Sequence, residues 1–369
     1  MRILVLTTDA FGGRGGIAKY NRDLLSALCQ MPECEEVVAI PRAMPNAPEP
    51  MPSKLTYVTS GLGGKLHYVC AVLGAAMGRF DLVLCGHINL LPLAALARLR
   101  SRSPLALMVY GIDVWQPHRS RLVNRLVSKV DVVFSISRVT ARKFSTWSGI
   151  PESAMPILPN AIALEIYGAG AKSPALLAKL GLQGKTVLMT FGRLSKDERY
   201  KGVDEVLEAM SALLAQRSDL AYLVAGDGDD RPRLEEKARS LGLESRVVFA
   251  GYLPEAEKAD YYRLADAYVM PSRGEGFGFV FLEAMACGIP VVASTLDGGR
   301  EAVLDGKLGI IVNPDNPEEL RAGILAALGR ERGVPPGLEY FAYPDFAARA
   351  QAAVRAVMVG QDECRQSGR

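Results

Sequence analysis

Twice along this chain, short apolar runs alternate with helical stretches, and no other feature narrows the fold as far. The runs of the first half are Ile3 to Thr8, Leu82 to Gly86, Leu105 to Tyr110 and Val132 to Ser137. Those of the second are Val187 to Gly192, Tyr222 to Gly226, Val247 to Gly251, Tyr268 to Ser272 and Pro290 to Ser294. Short apolar runs bounded by turn residues read as buried strands, and the helices between them make the sheets parallel. The expected fold is α/β, with two doubly wound, Rossmann-like domains, a cleft between them, and ligands at the carboxyl ends of the strands. At 369 residues and 49% hydrophobic content, the chain is long enough for two cores. The stretch from Pro159 to Pro174 lacks periodicity and reads as a linker. From Asp345 through Phe346, Ala350, Val354 and Val357 the pattern is helical, and the polar tail after Gly360 reads as frayed. The expected divisions are 1–163, 164–344, and a last helix at 345–369 that returns to the first domain.

Composition excludes several classes of protein. No apolar run approaches the roughly 20 residues that span a bilayer, and Met1 to Ala10 reads as a first strand rather than a leader. Six cysteines (Cys29, Cys34, Cys70, Cys85, Cys287 and Cys364) show no metal-ligand spacing, which fits reduced thiols in a cytoplasmic protein. No nucleic-acid partner is expected. The net charge of +3 hides an asymmetry: residues 1–160 hold 18 Lys and Arg against 10 Asp and Glu, a balance of +8, and the remainder holds 25 against 30, a balance of −5. A basic first half fits an anionic partner, such as the inner face of the plasma membrane or a lipid-linked acceptor; the alternative is ordinary solvated charge. Arg98, Arg100, Arg102, Arg119, Arg121, Arg125 and Lys129 punctuate helical stretches that also carry Leu99, Leu122 and Leu126, a pattern open to the same two readings.

The chemistry concentrates in the segment Gly274-Glu275-Gly276-Phe277-Gly278-Phe279-Val280-Phe281-Leu282-Glu283. Its glycines permit a sharp turn, after which backbone N–H groups of a helix opening near Phe279 can face an anionic diphosphate. Glu283, one turn inside, can accept hydrogen bonds from ribose hydroxyls, and Glu275 from hydroxyls of a sugar beyond the phosphate. Upstream, the run ending at Gly192 delivers Arg193, and Lys201 follows eight positions later. A guanidinium fork and an ammonium at a strand mouth suit a diphosphate leaving group; the competing reading is a solvated loop. Gly12-Gly13-Arg14-Gly15-Gly16-Ile17 lacks the order of a dinucleotide fingerprint, and no acidic residue closes a second strand at the right distance, which disfavours a dehydrogenase. It reads instead as a mobile glycine loop.

The Glu275 to Glu283 segment resembles the E-x7-E signature of the family 4 retaining glycosyltransferases, on the GT-B fold. The other landmarks of that family arrive in order along nearly the whole chain. The resemblance implies a metal-independent hexosyltransferase that moves a sugar from UDP or GDP to a glycan or lipid-linked acceptor with retention of configuration. It implies no cofactor beyond the donor. It assigns Arg193 and Lys201 to the donor phosphates, Gly15 and Gly16 to backbone contacts with the same phosphates, and Phe277, Gly278, Phe279 and Val280 to the turn beside them. Gly226, in Ala225-Gly226-Asp227-Gly228, falls where the family has a similar turn; Arg233 reads as a support of that turn. Tyr252 and Leu253 fall where the family grips the base edge. On the acceptor side, many members carry His where Tyr110 stands. That departure leaves Asp113 as the candidate to orient or deprotonate the acceptor hydroxyl, with His87 at the end of a neighbouring strand as the other candidate. The alternatives are a scaffold protein that binds donor without transferring it and a sugar epimerase on the same fold.

Overall fold

The computed structural model describes residues 1–367, and of residues 360–367 the backbone alone. Where a frayed tail is expected after Gly360, the backbone continues as helix through Ser367; the side chain of Cys364 lies outside the described ones. The other five cysteines are free thiols.

The chain divides into two compact units, one made of Met1–Ala161 together with the segment from Tyr343 onward, the other of Ile162–Ala342. The first unit holds β1 (Arg2–Thr7), β2 (Glu36–Pro41), β3 (Leu55–Tyr57), β4 (Leu82–Cys85), β5 (Leu105–Val109) and β6 (Val132–Ser135) in the spatial order β3-β2-β1-β4-β5-β6. The second holds β7 (Thr186–Phe191), β8 (Leu220–Ala225), β9 (Val247–Gly251), β10 (Ala267–Val269), β11 (Val291–Ser294) and β12 (Ile310–Val312) in the order β12-β11-β10-β7-β8-β9. Every strand pair is parallel. Counted from each unit's first strand, the winding is the same in both, and it reverses direction between β1 and β4 and again between β7 and β10. At such switch points neighbouring loops diverge at the carboxyl edge and leave room for a ligand.

The central strands are apolar throughout because helices cover both faces. Leu4 of β1 pairs with Val38 and Val83 on its two sides, and all three are buried. In the second unit the helix Val203–Gln216 buries Val206, Leu207, Met210 and Leu213, a spacing that sets one face of a 3.6-residue period against β7 and β8. Ile162 donates its N–H to Phe341 O at 2.8 Å, and Ile162 and Ala342 form a parallel bridge, so the chain enters and leaves the second unit side by side. The helix Tyr343–Ser367 packs on the helix Gly16–Cys29. Phe346 meets Tyr20 edge-on at 5.5 Å, and Gln351 Nε2 donates to Ala27 O at 2.9 Å.

Candidate functional site

Both switch points collect the residues singled out by sequence. In the second unit Arg193 and Lys201 follow β7 and Glu275 follows β10, the two strands at which the winding reverses. Arg193 is exposed, whereas Lys201 is mostly covered and lies against the backbone of Gly192. Both reach one carboxylate, that of Glu198: the Arg193 guanidinium bonds one oxygen, and Lys201 Nζ stands 2.5 Å from the other. The intervening loop is therefore not simply solvated. Arg273 N–H donates to Tyr200 O at 2.8 Å, and the Tyr200 ring lies on Gly274, which ties this loop to the Glu275 loop.

Glu275 is fixed from a third direction. Its backbone N–H donates to Asp297 Oδ2 at 2.8 Å, its carbonyl accepts from Gly298 N–H at 2.8 Å, and Asp297 Oδ1 accepts from Gly299 N–H at 3.0 Å. The approach is so close that a Cβ on Gly298 would stand 2.0 Å from Gly276 O. Burial pushes the Glu275 carboxyl up to about 7; Lys201 opposes the shift, and Asp297 and Glu198 add to it. Gly278 has φ +95°, open to glycine at little cost, and leads into the helix Phe279–Ala286, whose N-terminus has no side-chain cap. Phe277 and Phe279 are buried and Val280 is half-buried, so this turn offers its backbone. Glu283 lies inside the same helix at 2% exposure, with Tyr262 Oη donating to it at 2.9 Å and Lys258 Nζ 3.9 Å away.

Gly226 follows β8 and donates its N–H to Gly251 O at 2.8 Å. Beyond that bond Tyr252 is exposed and Leu253 is buried. Arg233 is held by Asp230 and Asp204 with bonds of 2.7 to 3.1 Å, in keeping with a support for the turn.

In the first unit Gly15 and Gly16 are exposed at the N-terminus of the helix Gly16–Cys29, which has no side-chain cap and no acidic residue in its first turn. The upstream end of the glycine loop is held by side chains. Gly12 N–H donates to Glu49 Oε2 at 2.7 Å, and Arg22 donates to Ala10 O and Gly13 O at 3.0 Å each. Tyr110 turns into the core, stacks edge-on with Tyr20 and donates its hydroxyl proton to Asn21 Oδ1 at 2.7 Å.

Asp113 and His87 come together at the carboxyl ends of β5 and β4. Asn89 N–H donates to His87 Nδ1 at 3.1 Å, which leaves the ring proton on Nε2, 3.9 Å from Asp113 Oδ2. Burial, and then the charge of His118, lower the His87 pKa and favour the neutral ring. Burial pushes Asp113 up to about 7, against backbone groups of Gly111, Asp113 and Tyr110 that favour the charged form. Its Oδ2 is buried and has no hydrogen-bond partner among the described residues. A buried acceptor left open beside an imidazole N–H suits an incoming hydroxyl.

Sequence reasoning missed Glu198, Asp297, Tyr262 and Asn89. Of these only Asp297, in Thr295-Leu296-Asp297-Gly298-Gly299, carries a readable turn signal.

Two family models match, Glycosyl transferases group 1 over residues 185–330 and Glycosyltransferase Family 4 over residues 14–166. A GDP-mannose-dependent alpha-(1-6)-phosphatidylinositol monomannoside mannosyltransferase of Mycolicibacterium smegmatis is 30% identical over 294 residues, 75% of this chain and 76% of that protein. A phosphatidyl-myo-inositol mannosyltransferase of Mycobacterium leprae is 36% identical over 54% of this chain, and the match spans about half of that relative, 52%. Among solved structures, Anabaena HepE in complex with UDP aligns over 100% of both chains at 23% identity and a TM-score of 0.68. The lipopolysaccharide outer core galactosyltransferase WaaB aligns over 96% of this chain and 99% of its own at 18% identity and a TM-score of 0.73. These likenesses establish the GT-B fold, and with the two family models and the Mycolicibacterium relative they place this chain among the family 4 glycosyltransferases.

Proposed function

We propose that this glycosyltransferase takes a hexosyl unit from a UDP- or GDP-sugar and passes it, with retention, to a glycan or lipid-linked acceptor in cell-surface polysaccharide or glycolipid synthesis. The observation that carries the reading is the convergence of Arg193, Lys201 and Glu275 on the switch point of the second sheet. When the bond from the anomeric carbon to the diphosphate oxygen breaks, the electron pair stays on that oxygen, and Arg193 and Lys201 balance the charge without a metal ion. The N-terminus of the helix Phe279–Ala286, which has no side-chain cap, turns its backbone toward the phosphates. Glu275 orients the sugar and Glu283 the ribose. In the first unit the open Oδ2 of Asp113 accepts the acceptor hydroxyl, with His87 beside it. The UDP in the Anabaena structure and the GDP-mannose in the name of the Mycolicibacterium relative support a nucleotide-sugar donor; that name also supports a lipid-linked acceptor.

The reading includes peripheral attachment to an anionic membrane on the cytoplasmic side. No helix among the described residues is long and apolar enough to cross a bilayer. Yet the helices Leu91–Ala97 and Arg121–Val127 pack together, and in them or just after them Leu96, Leu99 and Leu122 are exposed, as are Arg100, Arg121 and Arg125. Exposed apolar and basic side chains together are what an anionic interface binds.

Labelled UDP-glucose, UDP-galactose and GDP-mannose, with and without a lipid-linked acceptor, test the central reading. Transfer, or slow hydrolysis of one donor, is expected. A protein that is stabilised by neither UDP nor GDP and turns over no donor would refute it, and one that binds donor without turnover would be the scaffold. Lys201→Ala should lower kcat about 10²-fold, in the range known for loss of one transition-state donor. Glu283→Ala should chiefly raise the donor KM, because ribose contacts are present before and during the reaction.

A further inference from the structure

Among the described residues, Glu198 is the carboxylate that both cations of the donor site reach. Its side chain is 12% exposed although the loop around it is charged and open. The backbone leaves helical geometry at Glu198, with φ −118° and ψ 24°, at a kink inside the short 3₁₀ segment Lys196–Lys201. Glu198 N–H donates to Ser195 O at 2.9 Å, which anchors the loop on the near side of that kink. Both carboxylate oxygens are used, one by Arg193 and one by Lys201 at 2.5 Å. Burial alone would raise the carboxyl pKa, but the bonds and charges of Arg193 and Lys201 outweigh it and hold the pKa below its ordinary value. Two oxygens held by one guanidinium and one ammonium are what a phosphate of the donor would also present.

We propose that Glu198 is a built-in counter-anion of the diphosphate site, displaced from Arg193 and Lys201 when a nucleoside diphosphate binds, and that its charge sets how readily the product leaves. The inference rests on the donor-site reading above. With the site empty, the carboxylate keeps two like charges gathered in one place. With the site filled, it and the diphosphate compete for the same donors, and their mutual repulsion weakens the complex. Because Tyr200 and Arg273 tie the loop to the Glu275 segment, the exchange needs only the Glu198 side chain to turn.

Calorimetric titration of the full chain with UDP and with GDP tests this, using wild type, Glu198→Gln, Arg193→Ala and Lys201→Ala. The Gln variant keeps the shape of the side chain and removes its charge. It should bind the preferred nucleoside diphosphate about tenfold tighter or more, with the gap narrowing in 1 M salt, where charge effects are screened. In turnover it should show a lower donor KM and stronger product inhibition. Equal or weaker binding by a folded Glu198→Gln protein would mean that the carboxylate is a strut for the cations, and would overturn the proposal. A second measurement needs no variant: in a structure of the wild type with UDP or GDP bound, Glu198 should have left Arg193 and Lys201, and a retained pair would overturn it equally. The two failures separate cleanly. If neither nucleotide binds wild type, the donor-site reading falls and takes the counter-anion with it; if binding is lost in Arg193→Ala or Lys201→Ala but not improved in Glu198→Gln, only the counter-anion falls.

Discussion

Two carboxyl groups, Asp113 in the first unit and Glu275 in the second, are each pushed up to about 7 by burial. Each is assigned work that needs the charged form, one facing an acceptor hydroxyl and the other sugar hydroxyls. The rate profile should therefore lose kcat/KM as the pH falls below about 7, with a slope approaching two on a logarithmic plot, and Asp113→Asn or Glu275→Gln should remove one proton from that slope along with most of the rate. Stability carries the same signature with a definite sign. An acid whose pKa is higher folded than unfolded holds its proton in the native state while the unfolded chain releases it, so stability falls as pH rises from about 4 to about 7 and is level above. For Asp113, raised from 3.8 to about 7, the change between pH 5 and pH 8 is on the order of 3 kcal/mol. Denaturant unfolding of wild type and Asp113→Asn at those two pH values checks it: the difference should move in favour of the variant at pH 8, and a difference independent of pH would show that Asp113 is not the group responsible.

Among the elements, the loop after β11 and the loop after β10 act as one piece, since Asp297 and Gly298 bond the backbone of Glu275 from one side. Gly298→Ala sets a methyl group 2.0 Å from Gly276 O, a clash with backbone that no rotamer relieves. It should cost about 2 kcal/mol or more in thermal unfolding, as overpacking does, and weaken nucleoside diphosphate binding at least tenfold at temperatures where the chain is folded; unchanged affinity would mean that the Glu275 loop holds its shape unaided. The cations and acids at strand ends were legible in the sequence because a charged residue directly after a buried run has few places to go but the sheet edge. Glu198, Asp297 and Tyr262 were not, because their partners come from other segments and no spacing records a tertiary pair. The strands divide in the same way. Central runs such as Thr186–Phe191 announce themselves by burial on both faces, whereas the partly covered edge strand Leu55–Tyr57 leaves no apolar run to read and Ile310–Val312, apolar but three residues long, is too short to stand out. Glu36–Pro41 is buried yet was overlooked beside acidic and proline-rich neighbours.

For the whole molecule, the uneven charge of +8 over residues 1–160 against −5 over the rest should be visible as binding to vesicles containing anionic phospholipid at low salt, lost as salt rises past the point where the screening length falls to about 10 Å. Co-sedimentation with anionic and neutral vesicles reads this out, and binding that is equal on both would defeat the electrostatic account. The returning helix Tyr343–Ser367 bears on how the protein is made. Tyr20 sits near the start of the chain, and its ring partner Phe346 near the end. The second unit is one continuous stretch and has all its residues once Ala342 has left the ribosome. The first unit does not: at roughly 5 to 20 residues per second, translation leaves the helix Gly16–Cys29 without its cover for about ten seconds or more. During that time the earlier-synthesised unit is the unfinished one, so a chaperone that follows nascent chains should hold residues near Tyr20 longer than any surface of the unit made after them.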